Sequence, residues 1–387
     1  MTDAIRDDLP IQIVKTDVAE LGFVEPSGLT SEEIVQLVSD DSNESPPTDI
    51  VAYNELRSCA DLHRMHGAGD LDIQPAFQRD VVWRGTDQTR FIDSLIKQLP
   101  IPSMCFAYDY KKGRWIVIDG LQRISTIIKF LDGGDWKLSV LPDIDPELSG
   151  KSVSAIKTSR TSLRQLYTRV QNQTIPINVL RCDFDKKSHN EYLFTIFHRL
   201  NAGGVKLNNQ EIRNCIYEGS FNLFLKEADA NADWRRINNM GPGQNYRFIK
   251  QEAILRFFAF MESRSSYKGS VSRFLNDYMF ANRNMLPVKV EEKRQLFGRA
   301  VKLVSSIFPA QATPPRMPGT VLEAILIGVA TNIDALENET VEQVRTRYAA
   351  FRDHPSVSEE SLKEGLSKKD KVDARIDAAI AIFARPQ

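Results

Sequence analysis

Residues 114–131 read RWIVIDGLQRISTIIKFL, and a change of period inside this stretch decides the fold. Trp115 to Ile118 is a short run of β-type apolar residues. From Leu121 onward the apolar residues Leu121, Ile124, Ile127, Ile128 and Leu131 fall at the spacing of one helix face. Between strand and helix lies the polar turn Asp119-Gly120. Such a turn lets backbone approach a ligand closely at the glycine. It also aims the first amides of the helix, at the positive end of its dipole, at whatever sits there. Arg123 adds a fork of donors suited to phosphate oxygens. Asp119 can hold a divalent cation that bridges phosphates, and Gln122 can orient a water or a phosphate oxygen. A plainer reading of the same residues makes Asp119 an N-cap and Gly120 a turn former, with the other two facing solvent.

Working outward, the segment 51–182 alternates between helix and strand, which predicts a small α+β domain. Asn54–His66 reads as helix and Asp72–Phe77 as extended. Thr86–Leu99 carries Phe91, Ile92, Leu95, Ile96 and Leu99 at helical spacing and is stopped by Pro100 and Pro102. Ser103–Tyr108 and Arg114–Ile118 flank a Lys-Lys-Gly turn and predict a hairpin. Trp136–Val140 and Ile175–Leu180 are further candidate strands. Beyond Cys182 helical stripes dominate, for example Leu193–Ile196–Phe197–Leu200, Ile254–Phe257–Phe258–Met261 and Val372–Ile376–Ile380–Phe383, so 183–387 is expected to be a helical domain. Residues 1–50 read as a flexible segment, with a capping box at Thr30–Glu33 and an acidic Ser/Pro linker at 39–49.

The formal net charge is −1, so nucleic acid can be attracted only through a local cluster of Lys and Arg. The cysteines, Cys59, Cys105, Cys182 and Cys215, form no C-x-x-C pair and are expected to be reduced, mostly buried thiols. His63 and His66 stand three apart without further ligands at metal spacing. The N-terminus has no signal-peptide pattern, and the apolar run Val321–Ile333 is too short to span a bilayer. A soluble, cytoplasmic protein is expected.

Pro75-x-Phe77-Gln78-Arg79, Trp83, IDSLIKQLPIP (92–102), IDGLQRISTIIKFL (118–131) and FHRLNAGGVKLNNQEIRN (197–214) occur in that order. Together they resemble the N-terminal domain of GmrSD-type, modification-dependent restriction enzymes. The resemblance implies a ParB/sulfiredoxin-like small sheet with helices that binds an NTP with Mg2+ at the turn, hydrolysis being coupled to DNA restriction. It implies Asp119, Gln122 and Arg123 as catalytic residues, with Asp119 also the metal ligand. Gly120, Gln78, Arg79, Asn201, Gly203 and Gly204 become nucleotide contacts, and Arg84 and Arg213 nucleic-acid contacts. Plainer roles stand beside these: Arg79 pairing with an acid, Trp83 packing, Gly203-Gly204 as a helix C-cap and turn, and Glu211 with Arg213 as structural ion-pair partners.

Leu121 departs from the family's usual Gln. The turn also lacks the Cys and His of sulfiredoxin's Gly-Cys-His-Arg and the Glu of the ParB-type Gly-Glu-Arg-Arg. The His-Asn-His nuclease half of such enzymes has no counterpart, since His354 alone follows His198. The expected partners are therefore DNA, with or without modification, and a separate nuclease or other defence protein. Two rival readings are an inactive DNA- or protein-binding adaptor with the same fold, and a nuclease that cuts at Asp119.

Overall fold

A computed structural model of the chain describes residues 31–38, 46–73, 83–200, 207–241 and 247–384. Two compact units divide it: Asn43–Gly204, and a second assembled from Met1–Ser42 with Val205–Gln387. Gln78, Arg79, Asn201, Gly203 and Gly204 lie outside the described residues, as do Thr30 of the expected capping box and residues 39–45 of the expected linker.

The first unit is built on a five-stranded mixed sheet of order β1-β5-β3-β4-β2. The strands are β1 (Val51–Ser58), β2 (Leu71–Asp72), β3 (Met104–Asp109), β4 (Arg114–Asp119) and β5 (Thr174–Cys182). The predicted hairpin is present: β3 and β4 pair antiparallel, with Gly113 at φ 68° in the turn between them. One register irregularity occurs there. Phe106 faces Val117, but Cys105 faces Asp119, so Ile118 is an extra residue at the end of β4.

Two expectations are corrected. Asn54–Ser58 is not helical; it completes β1, which runs antiparallel to β5 with Asn54 opposite Asn178. Only at Ser58 does the chain turn, its Oγ accepting the amide of Asp61 to cap the following helix. Trp136–Val140 is not a strand either, since its β pairing is the single bridge Lys137–Ser152.

In chain order the helices are α1 (Ser31–Val38), α2 (Cys59–Gly67), α3 (Gly85–Ile96), α4 (Leu121–Asp132), α5 (Val153–Thr158), α6 (Ser162–Asn172) and α7 (Lys187–Leu200). Of these, α1 belongs to the second unit. One cluster of buried side chains joins α2 to α6 with alternate residues of the strands: Leu62, Ile92, Ile124, Ile127, Tyr167, Phe106, Val117 and Ile177 among them. Ile124 and Ile127 are fully buried, worth about 1.5–3 kcal/mol each against exposure, and they anchor the helix that begins at the polar turn. Helix α7 packs against β4.

The second unit is helical, as expected. After α1 it comprises α8 (Asn209–Ile216), α9 (Ser220–Asp229), α10 (Ala232–Ile237), α11 (Ile249–Ser263), α12 (Val271–Asn282) and α13 (Pro287–Ser306). Then come α14 (Gly319–Thr331), α15 (Ile333–Leu336), α16 (Val341–Arg352) and α17 (Lys369–Phe383). Its centre is aromatic: Phe257 and Phe258 meet edge-on at 4.7 Å, and both touch Phe297. The apolar run from Val321 is α14, buried on every side, as an all-round hydrophobic helix must be. No helix among the described residues is long and apolar enough to cross a membrane.

Candidate functional site

Strand β4 delivers Asp119 to the turn, and Gly120 then takes φ 97°, ψ 13°. That left-handed conformation is natural only for glycine. Space demands glycine as well, because a Cβ here would lie 2.7 Å from Cγ of Met104. Gly120 has no side chain with which to cap α4, and among the described residues no side-chain hydrogen bond caps the helix in its place. Asp119 is not the N-cap of the plainer reading. The helix therefore opens with uncapped amides, the arrangement suited to an anion.

Arg123 is fixed across this opening. Its Nη2 lies 2.8 Å from Oδ2 of Asp119, and its Nη1 donates to the carbonyl of Pro102. Gln122 accepts the amide of Trp83 at 3.4 Å through Oε1, which ties the start of α3 to the turn. Arg84, next in sequence, is exposed and heads α3, its amide donating to Asp87. Trp83 packs inward, 5.3 Å from Phe91 in an edge-on contact. The structure thus gathers Asp119, Gly120, Gln122 and Arg123 and links the Arg84 segment to them.

Further groups at the turn were not singled out from the sequence. The Pro102 carbonyl holds Arg123, Met104 walls Gly120, and Asn178 donates to Ser103 Oγ at 3.2 Å, both side chains exposed. The strand runs 103–108 and 175–180 were legible, but pairing alone places their first residues near β4's end. Cys105, opposite Asp119, is buried; burial first and the Asp119 charge second push its thiol up to about 12, so it is no nucleophile. All four cysteines are buried and free. Of the histidines, His63 bonds Asp132 at 2.8 Å and His66 the carbonyl of Leu71 at 3.3 Å. No group of three His, Cys, Asp or Glu among the described residues is arranged to hold a metal ion.

Arg213 needs correction. The expected nucleic-acid contact is wholly buried in the helical unit, where its guanidinium meets Glu252 at 2.7 Å and Asn276 at 2.8 Å. Glu211 is equally buried and pairs with Arg247. These are structural ion pairs, although not with each other. Every residue of α8, including Asn209, Gln210 and Asn214, is buried.

With this geometry in place, comparison with known families adds a class. Residues 60–218 match the model of a domain of DNA-restriction proteins. The particular model is that of the GmrSD restriction endonuclease, N-terminal domain. The match begins in α2, includes the turn and extends past α8. No curated protein and no solved structure matches the chain.

Proposed function

We propose that the sheet unit binds a nucleoside triphosphate at the Asp119–Arg123 turn and serves as an NTPase in a DNA-restriction system whose cutting step lies in a partner nuclease or other defence protein. One observation carries this reading: a helix N-terminus left uncapped by a left-handed glycine, with an oriented guanidinium one turn in and a carboxylate at its mouth. Phosphate oxygens would take the free amides and the Arg123 fork. Asp119 is the single carboxylate of the turn, so a cation there would draw most of its ligands from phosphate and water. That is the habit of Mg2+. Arg84 is an exposed cation on the adjoining segment, available to phosphate.

Leu121 supports binding without turnover as a second reading. It is half-buried and packs against the core of the sheet unit instead of offering a polar group at the mouth. An adaptor that binds nucleotide without hydrolysing it would fit. Phosphate release from each NTP, with and without modified DNA, separates the two: DNA-stimulated release supports the NTPase, and saturable binding without release supports the adaptor. Metal-dependent DNA cleavage by the purified chain, abolished by Asp119→Ala, would instead establish a nuclease centred on Asp119.

A further inference from the structure

Residues 148–182 contain six Lys or Arg and no Asp or Glu, in a chain with 50 basic and 51 acidic residues overall. The structure concentrates much of this imbalance on α6. Leu166, Tyr167 and Val170 turn into the core, while Arg164, Gln165, Thr168, Arg169 and Asn172 form one continuous exposed stripe. With Gln98 from the end of α3 they line an open groove of about 330 Å³ that no carboxylate lines.

Elsewhere in the sheet unit, basic side chains are commonly neutralised by carboxylates. Arg57 pairs with Glu55, Arg90 with Asp143, Lys97 with Asp93, Lys111 with Asp183 and Lys186 with Asp49. Along α6 this does not happen. Arg164 donates to the carbonyl of Lys157 and stacks 5.1 Å from Tyr167, contacts that orient it without cancelling its charge. Arg160, Arg169 and Lys151 are exposed and form no ion pair among the described residues. The nearest acids in sequence on either side are engaged, Glu147 by Ser162 and Asp183 by Lys111.

We propose that this face of α6 is a docking surface for the sugar-phosphate backbone of duplex DNA. The inference rests on the reading that the protein acts on DNA and names the surface that would hold it. Unneutralised arginines supply the attraction that a net charge of −1 cannot. Gln165, Thr168 and Asn172 supply the neutral donors that accompany Arg at phosphate contacts. Arg164 and Arg169 stand about 7.5 Å apart along the helix axis, close to the rise of two nucleotides at about 3.4 Å each. A membrane surface fits poorly, because an interfacial helix needs exposed apolar residues and this stripe has none.

The test is fluorescence anisotropy of the full chain with a labelled DNA duplex between about 50 and 200 mM salt. Arg164→Gln and Arg169→Gln are compared with the wild type and with Lys302→Gln, which removes an exposed charge from the helical unit. Each α6 variant should weaken binding and flatten the plot of log K against log salt by about 0.9, while Lys302→Gln should do neither. A circular dichroism melt unchanged by Arg169→Gln secures the comparison, because that side chain holds nothing in place. Equal slopes for the wild type and both α6 variants would overturn the proposal. So would binding of phosphatidylserine vesicles or polyglutamate, in place of DNA, that is lost in the variants. NTP titrations run alongside keep the readings apart: normal nucleotide binding with an unaltered salt slope removes the α6 surface and leaves the nucleotide site standing.

Discussion

Arg123 reaches back one helical turn, across the left-handed Gly120, and places Nη2 2.8 Å from Oδ2 of Asp119. The side chain of Arg123 is 14% exposed and that of Asp119 37%, so the acid is the outer member of the pair and the first to meet a cation from solvent. In Asp119→Asn, nucleotide affinity should fall in the presence of Mg2+ and hold or rise in EDTA, where the guanidinium, no longer neutralised by the carboxylate, is freer to bind phosphate. Titrations under the two conditions check this, and an equal loss in both would remove Asp119 from cation binding.

Gly120→Ala should destabilise the sheet unit by roughly 1–3 kcal/mol through backbone strain alone. The contact at 2.7 Å with Met104 adds to that. Urea denaturation measures the loss. The double variant Gly120→Ala/Met104→Ala should not recover stability, because the strain at φ 97° remains after the clash is relieved and Met104 itself is fully buried.

Arg213→Ala should cost about 3–5 kcal/mol, the penalty for leaving Glu252 buried without its partner. The salt dependence of DNA binding should stay as it was, since the side chain has no surface to present. Chemical denaturation and the anisotropy assay read the two effects separately.

Lys250 is buried, and burial holds its ammonium down to about 8, against the opposing pull of Glu33 and Asp229. Between about 8 and its ordinary value of 10.5 the unfolded chain carries the proton and the folded chain does not. Stability contributed by this group therefore rises with pH across that window and is flat below it. Comparing denaturation midpoints at pH 7 and pH 9.5, Lys250→Met should be stabilising relative to wild type at the lower pH, and the gap should shrink at the higher. A constant gap would contradict the assignment.

The hairpin, the helix after it and the turn between them were legible because their residues sit half in and half out of one core, and burial imposes a period. β1 was not. It is an edge strand whose first four residues are exposed, so nothing forces alternation, and Asn54, Glu55 and Arg57 mimic the start of a helix. Helix α8 misled in the other direction. NQEIRNCI is polar in composition and offered Arg213 as a nucleic-acid contact, yet it is buried because its side chains satisfy one another and neighbouring helices: Asn214 with Gln251, Arg213 with Glu252, Glu211 with Arg247. Such partners lie tens of residues away and leave no local signature. The Pro102 carbonyl that steadies Arg123 is likewise invisible before β3 and β4 are paired.

The central claim is that the turn holds triphosphate, and Arg123 tests it most directly. Titrating the full chain with each NTP in Mg2+, wild type against Arg123→Ala, should give saturable binding of at least one nucleotide. The variant should weaken it about ten- to a hundred-fold, the loss of a charge-assisted contact of roughly 1.5–3 kcal/mol. Saturation curves that coincide for wild type and Arg123→Ala, or no saturable binding of any NTP by the wild type, would contradict the account.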